Sequence, residues 1–176
     1  MAIKNRPEFE KFIRRVEKSS DEFRASSTEK RHSKHFRTAR ENLNHLVDEE
    51  SFLEFGQFAV AAQRTRRDYE ELQDKTNADG IITGFCSVNS ELVGEKHAQA
   101  VAIVYDYSVL AGTQGAFHHL KLDRICDQAK KFELPIIIFT EGGGGRPGDT
   151  DVLTQIAGLH IPSFSSWAQL TGTSLK

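Results

Sequence analysis

The sequence predicts an α/β fold, and two observations carry that prediction. After Pro135, four apolar residues, Ile136 to Phe139, run through Thr140 and Glu141 into four consecutive glycines, Gly142 to Gly145, and then Arg146. A short apolar run after proline reads as a buried strand. Glycines at its C-terminal end let the backbone turn sharply and bring N–H groups against a ligand, where open α/β folds place their sites. A glycine run can equally be a plain linker, so what precedes it matters. Residues 105–115, a helical stretch to Phe132 and the Pro135 strand give the order strand, Gly-rich turn, helix, strand, Gly-rich turn.

The remaining elements follow in chain order. Phe9, Phe12, Ile13 and Val16 recur at helical spacing among charges, predicting an amphipathic helix over 8–24. Ser26-Ser27-Thr28 reads as a break. The basic stretch from Lys30 to Arg37 opens a second helix that Asn42, Leu43 and Leu46 continue towards Asp48; it is either a solvated face or an anchor for phosphates or a partner. Ser51 with Glu54 three residues on predicts a capped helix from 51 to about Gln73, with Arg64, Arg66 and Arg67 exposed. Strands are expected at 80–88 and 99–107, joined by a polar turn. In the helix from about Thr113 to Phe132, the spacing of Leu122, Ile125, Cys126, Ala129 and Phe132 makes a buried stripe. His118 falls on that face as a core histidine or a ligand contact; His119 is expected to be exposed. A short helix after Thr150 and another at 164–170 complete the chain, which divides into an N-terminal helical arm (1–50) and the main body (51–176).

Composition narrows the function. A length of 176 residues allows one domain with a real core. A net charge of −2 implies no general attraction to nucleic acid or anionic membrane. No apolar run approaches the length of a membrane span and the charged N-terminus lacks a signal-peptide core, so a cytoplasmic location is expected. Cys86 and Cys126 lack metal-type spacing and read as buried thiols. No nucleophile–base–orienter set, metal cluster or Walker-type motif can be read.

The ordered motifs resemble the N-terminal half of the carboxyltransferase domain of biotin-dependent acyl-CoA carboxylases, in the crotonase superfamily. Asp106, Tyr107, Gly112, Thr113, Lys121 and Pro135 match the family pattern in order. In its Asp-Ser-Gly-Gly-Ala-Arg element Glu141 takes the Asp place, Gly143 and Gly144 match, Arg146 falls on the Arg, and Gly142 and Gly145 replace Ser and Ala. Residues 37–43, Leu46-Val47-Asp48 and Ser51-Phe52 are similar to the opening signature, and Asp79 to Gly84 to the Asp-Gly-Val-Val-Thr-Gly strand. Residues 61–67 and the all-glycine turn look like the variant in large single-chain carboxylases. Phe85-Cys86-Ser87 departs from the glycine-rich continuation of many members.

The resemblance implies a partial crotonase-like β/α spiral that takes part in moving CO2 from carboxybiotin to the α-carbon of an acyl-CoA. The cofactor would be biotin on a carrier domain, with biotin acting as the base and the protein holding ligands and stabilising enolate-like oxygens. Gly143 and Gly144 are then the catalytic N–H donors, aided by the dipole of the helix after Thr150. Gly112, Thr113, Gly115 and Arg146 become acyl-CoA-side residues, with Arg146 either orienting the turn through a carboxylate or exposed. The partners implied are the C-terminal carboxyltransferase half, a biotin carrier and a biotin carboxylase, in an oligomer. The chain stops where a further family strand is expected, so it is read as a fragment or truncation, inactive alone. A non-catalytic scaffold is the alternative. A hydratase or isomerase would have only Glu141 as a carboxylate at the turn.

Overall fold

The computed structural model describes residues 6–152 and 161–172. The helical arm comprises α1 (Pro7–Glu17), α2 (Ala25–His32) and α3 (Ala39–Leu46). Proline in the first turn of α1 costs no hydrogen bond there. The helix ends earlier than expected, residues 18–24 forming turns. Ser26-Ser27-Thr28, expected as a break, lies within α2, whose first turn closes when Ser27 and Thr28 N–H donate to Arg24 O (2.8 and 3.1 Å). The break falls at 33–38 instead. There Thr38 caps α3: its Oγ1 accepts from Glu41 N–H (3.0 Å), and Glu41 Oε2 accepts from Thr38 N–H (2.7 Å).

The capping box read at Ser51 and Glu54 therefore sits one Ser/Thr-x-x-Glu match earlier. The helix expected from 51 to 73 is corrected. Leu53–Phe55 forms strand β1, residues 56–68 form a loop, and only Tyr69–Lys75 is helical, as α4. Leu53-Glu54-Phe55 alternates with a strand's period of two, and Gly56 ends it at φ +68°. Glu54 accepts a fork from Arg40 of α3 (2.6 and 3.0 Å) rather than capping anything.

Strand β2 (Ile81–Ser87) follows. The turn after it holds two single-turn helices, α5 (Ser90–Val93) and α6 (Glu95–Ala98). Then come β3 (Gln99–Tyr105), α7 (Ala116–Phe132), β4 (Ile136–Phe139) and α8 (Ile161–Gly172). The sheet order is β1-β2-β3-β4, with β1/β2 and β2/β3 antiparallel and β3/β4 parallel across the α7 crossover. Both faces of β3 are covered, which explains its unbroken apolar run. Val101, Ile103 and Tyr105 meet Leu122, Ile125, Cys126 and Ala129 of α7. Ala100, Ala102 and Val104 share the opposite core with Ala39 and Leu43 of α3. Gly84 lets Phe52 and Leu53 close on β2: an added Cβ would come within 2.5 Å of the Phe52 ring.

Two expectations for α7 are corrected. Phe132 is 52% exposed, its ring turned edge-on to Phe85 at the sheet margin. His119 is buried rather than exposed, because α8 packs over it and Ser163 Oγ lies 3.1 Å from its Nδ1. Cys86 and Cys126 are buried free thiols. The short helix expected after Thr150 falls mainly on residues outside those described. Among the described residues no helix is long and apolar enough to cross a membrane.

Candidate functional site

Because β3 and β4 are parallel neighbours, the turns leaving their C-terminal ends lie side by side. Gln114 N–H donates to Gly144 O (2.8 Å) and Arg146 N–H to Gln114 O (2.9 Å), a parallel bridge between the two turns. Gly112 (φ +64°) and Gly142 touch backbone to backbone, and a Cβ on Gly142 would come within 2.9 Å of the Gly112 carbonyl carbon. Side chains are excluded from this contact. Gly144 is left-handed at φ +91° with open space beside it, and Gly143 has only Thr113 Cγ2 (3.5 Å) and Ala111 O (3.6 Å) near. Among the described residues the N–H groups of Gly143 and Gly144 make no hydrogen bond. Two unbonded donors thus stand on an exposed turn.

Beneath them Arg146 is buried. Its Nη1 donates to Asp79, its Nη2 to Thr113 O (2.5 Å) and its Nε to Thr113 Oγ1 (3.1 Å). Asp149 Oδ2 lies 3.6 Å from the same guanidinium and accepts from Ala116 N–H (2.9 Å), while Asp79 Oδ2 accepts from His118 N–H (2.7 Å). Both carboxylates therefore sit on the first turn of α7, where the helix dipole favours negative charge. Burial pushes the Asp79 carboxyl up, and the adjoining guanidinium opposes that shift. Gly115 leaves the room this needs, since a Cβ there would come within 2.8 Å of Arg146 Cζ. Asp79 stands in a left-handed turn (φ +51°) directly before β2, and Lys121 Nζ ties that turn by donating to Ala78 O (2.8 Å) and to Ile81 O.

His118 is fully buried, edge-on to Tyr105 at 4.6 Å, with Nδ1 3.3 Å from Asp79 O and no partner for Nε2 among the described residues. Burial first, then the neighbouring charge of Arg146, with His119 and Lys121 adding to it, lowers its pKa to about 3. The unfolded state binds the proton more tightly, so stability is complete above about pH 6.5 and falls as pH drops through the window to about 3. This group alone should make the protein about 2 kcal/mol less stable at pH 5 than at pH 7. Urea unfolding at both pH values checks it: His118→Asn should flatten the slope, and an unchanged slope refutes the assignment.

The arm completes the surroundings. Arg31 of α2 donates a fork to Glu141 (2.6 and 2.8 Å), and its guanidinium lies 5.2 and 5.7 Å from the ring centroids of Phe36 and Tyr107. These residues border a cleft of about 730 Å³ that also exposes Lys30 and Lys34. Neither lysine makes an ion pair among the described residues. On the other side of Glu141, a pocket of about 280 Å³ is lined by Gln114, Gly142 and Gly144.

Reading the sequence brought Gly112, Thr113, Gly115, Gly143, Gly144 and Arg146 to one place. It missed Asp79, Asp149 and Arg31 as parts of the same construction. An acid placed directly before a glycine and a buried strand was the signal for Asp79. The carboxylate three residues after Arg146 was the signal for Asp149, and nothing local pointed to Arg31.

The family of the carboxyl transferase domain matches residues 30–158, most of the chain and all of the two-turn site. The chain belongs to this family. Acetyl-coenzyme A carboxylase carboxyl transferase subunit beta of Clostridium kluyveri is 34% identical over 119 residues, covering 64% of this chain and 38% of the relative. A solved single-chain, multi-domain long-chain acyl-CoA carboxylase is 47% identical, with a TM-score of 0.87 over 94% of this chain and 16% of that one. Transcarboxylase 12S, a hexamer solved with methylmalonyl-coenzyme A bound, is 26% identical with a TM-score of 0.62, covering 97% of this chain and 29% of that one. The carboxyl transferase domain described here thus has the crotonase-like fold and spans well under half the length of these relatives.

Proposed function

We propose that this carboxyl transferase domain binds an acyl-CoA and stabilises the charge that develops on its thioester oxygen during carboxyl transfer. The observation that carries the reading is the pair of unbonded N–H groups of Gly143 and Gly144, held on a turn braced by Arg146. Rigid donors oriented before charge develops are what such a step requires, and no side-chain acid or base need lie beside them. Glu141, the one carboxylate at this turn, is engaged by Arg31, which leaves it poorly suited to serve as the base of a hydratase.

Gly112, Thr113 and Gly115 shape the turn that borders the acyl-CoA path, and Lys30 and Lys34 in the adjoining cleft supply positive charge for the CoA phosphates. Carboxybiotin, borne on a carrier domain, would supply the carboxyl group. The residues of this chain bind and orient the acceptor. On this reading the biotin side comes from a further carboxyltransferase half, and the working assembly is an oligomer with a biotin carrier and a biotin carboxylase.

Calorimetric titration with acetyl-CoA and propionyl-CoA tests the acceptor side. The purified chain should bind, and Lys30→Glu combined with Lys34→Glu should weaken binding by about tenfold, more at low salt than at high. Absence of binding to the well-folded chain at millimolar acyl-CoA sinks the reading.

A further inference from the structure

The geometry points to Arg31 as a positioning residue: from the helical arm it fixes the Gly142–Gly145 turn through Glu141. The inference rests on the reading of that turn as the oxyanion site and goes beyond it, since the arm lies outside the two glycine turns. Arg31 has almost no freedom left. Its Nη1 and Nη2 fork onto Glu141, its Nε and Nη2 donate to Arg37 O (3.0 and 2.7 Å), and two aromatic rings flank the guanidinium. The Arg31 side chain is 12% exposed and that of Glu141 38%, so the arginine is held by its surroundings while water reaches the pair from the Glu141 side.

Glu141 is the residue directly before Gly142, and its own carbonyl packs on Gly112. Whatever fixes Glu141 therefore fixes the entry to the turn that carries the donors. Arg31 also neutralises a carboxylate beside the place where negative charge would develop. Without it, that charge would oppose the oxyanion.

A second strap acts on the other turn. Arg24, the N-cap residue immediately before α2, donates to Asp106 Oδ2 (2.7 Å) and to Ser108 Oγ. Asp106 opens the first glycine turn. Two arginines, one at the N-cap of α2 and one in its last turn, thus hold both turns, each through two guanidinium nitrogens, a geometry that lysine does not reproduce.

The test uses Arg31→Ala and Arg31→Lys in the full-length polypeptide that carries these residues, read by amide hydrogen exchange and by kinetics. Gln114 and Arg146 amides report the bond between the turns, and Ile103 in β3 reports the core. Arg31→Ala should speed exchange at Gln114 and Arg146 by about tenfold while Ile103 keeps its protection. It should lower kcat by about tenfold with KM within about threefold. Added guanidinium ion, entering through the cleft, should restore part of both, and Arg31→Lys should fall between wild type and Arg31→Ala. Wild-type exchange at Gln114 and Arg146 in Arg31→Ala overturns the inference, as does a loss of protection that extends equally to Ile103. If exchange responds as expected while the wild type has no affinity for acyl-CoA, the strap stands and the functional reading of the turn falls.

Discussion

On the proposed acyl-CoA reading, Gly144→Val should lower carboxyl transfer by about a hundredfold or more, while acyl-CoA affinity changes far less. Gly144 is left-handed at φ +91°, a conformation a β-branched residue resists, so valine should turn the peptide and carry the N–H out of line even though open space surrounds the site. Gly143 provides the control. It has no left-handed φ, and an alanine Cβ there would meet Thr113 Cγ2 at an ordinary 3.5 Å, so Gly143→Ala should keep the donors and most of the activity. Gly143→Val adds bulk near Thr113 and should again lose rate. Because bulk can also block binding, Kd for acyl-CoA must be measured beside kcat. Unchanged turnover in Gly144→Val would show that the oxyanion assignment is wrong.

Arg146→Met should destabilise the protein by about 3–5 kcal/mol, the usual cost of leaving a buried charge without its partner. Asp79 is fully buried, and the hydrogen bond left to its carboxylate among the described residues comes from the His118 N–H. The substitution also removes three hydrogen-bonding nitrogens from the floor of the turn. Combining it with Asp79→Asn should recover part of the loss, since the amide carries no charge to strand. Urea denaturation of the single and double variants measures the coupling. A loss below about 1 kcal/mol in Arg146→Met would mean that the ion pair contributes little net stability, the outcome expected of a solvated surface arginine.

The two-turn frame was legible in the sequence because its causes are local. An apolar run after Pro135, glycines that alone permit the turns, and the periodic stripe of α7 announce themselves within a few residues. The ordered motifs along the chain then identified the family. Where a local pattern had two matches, the sequence could not choose. Thr38–Glu41 and Ser51–Glu54 both have the form of a capping box, and only the pairing of Leu53–Phe55 with β2 decides that the second is a strand. His119 and Phe132 were misjudged for the same reason. Helical periodicity ranks faces by hydrophobicity, but α8 arriving over His119 and the sheet ending beside Phe132 set which face is covered. The arginines show the limit most clearly. Arg24, Arg31 and Arg146 meet carboxylates 82, 110 and 67 residues away along the chain. An ion pair depends on the distance between two charges in space. That distance is set only when β3 and β4 align in parallel and the arm folds across their ends.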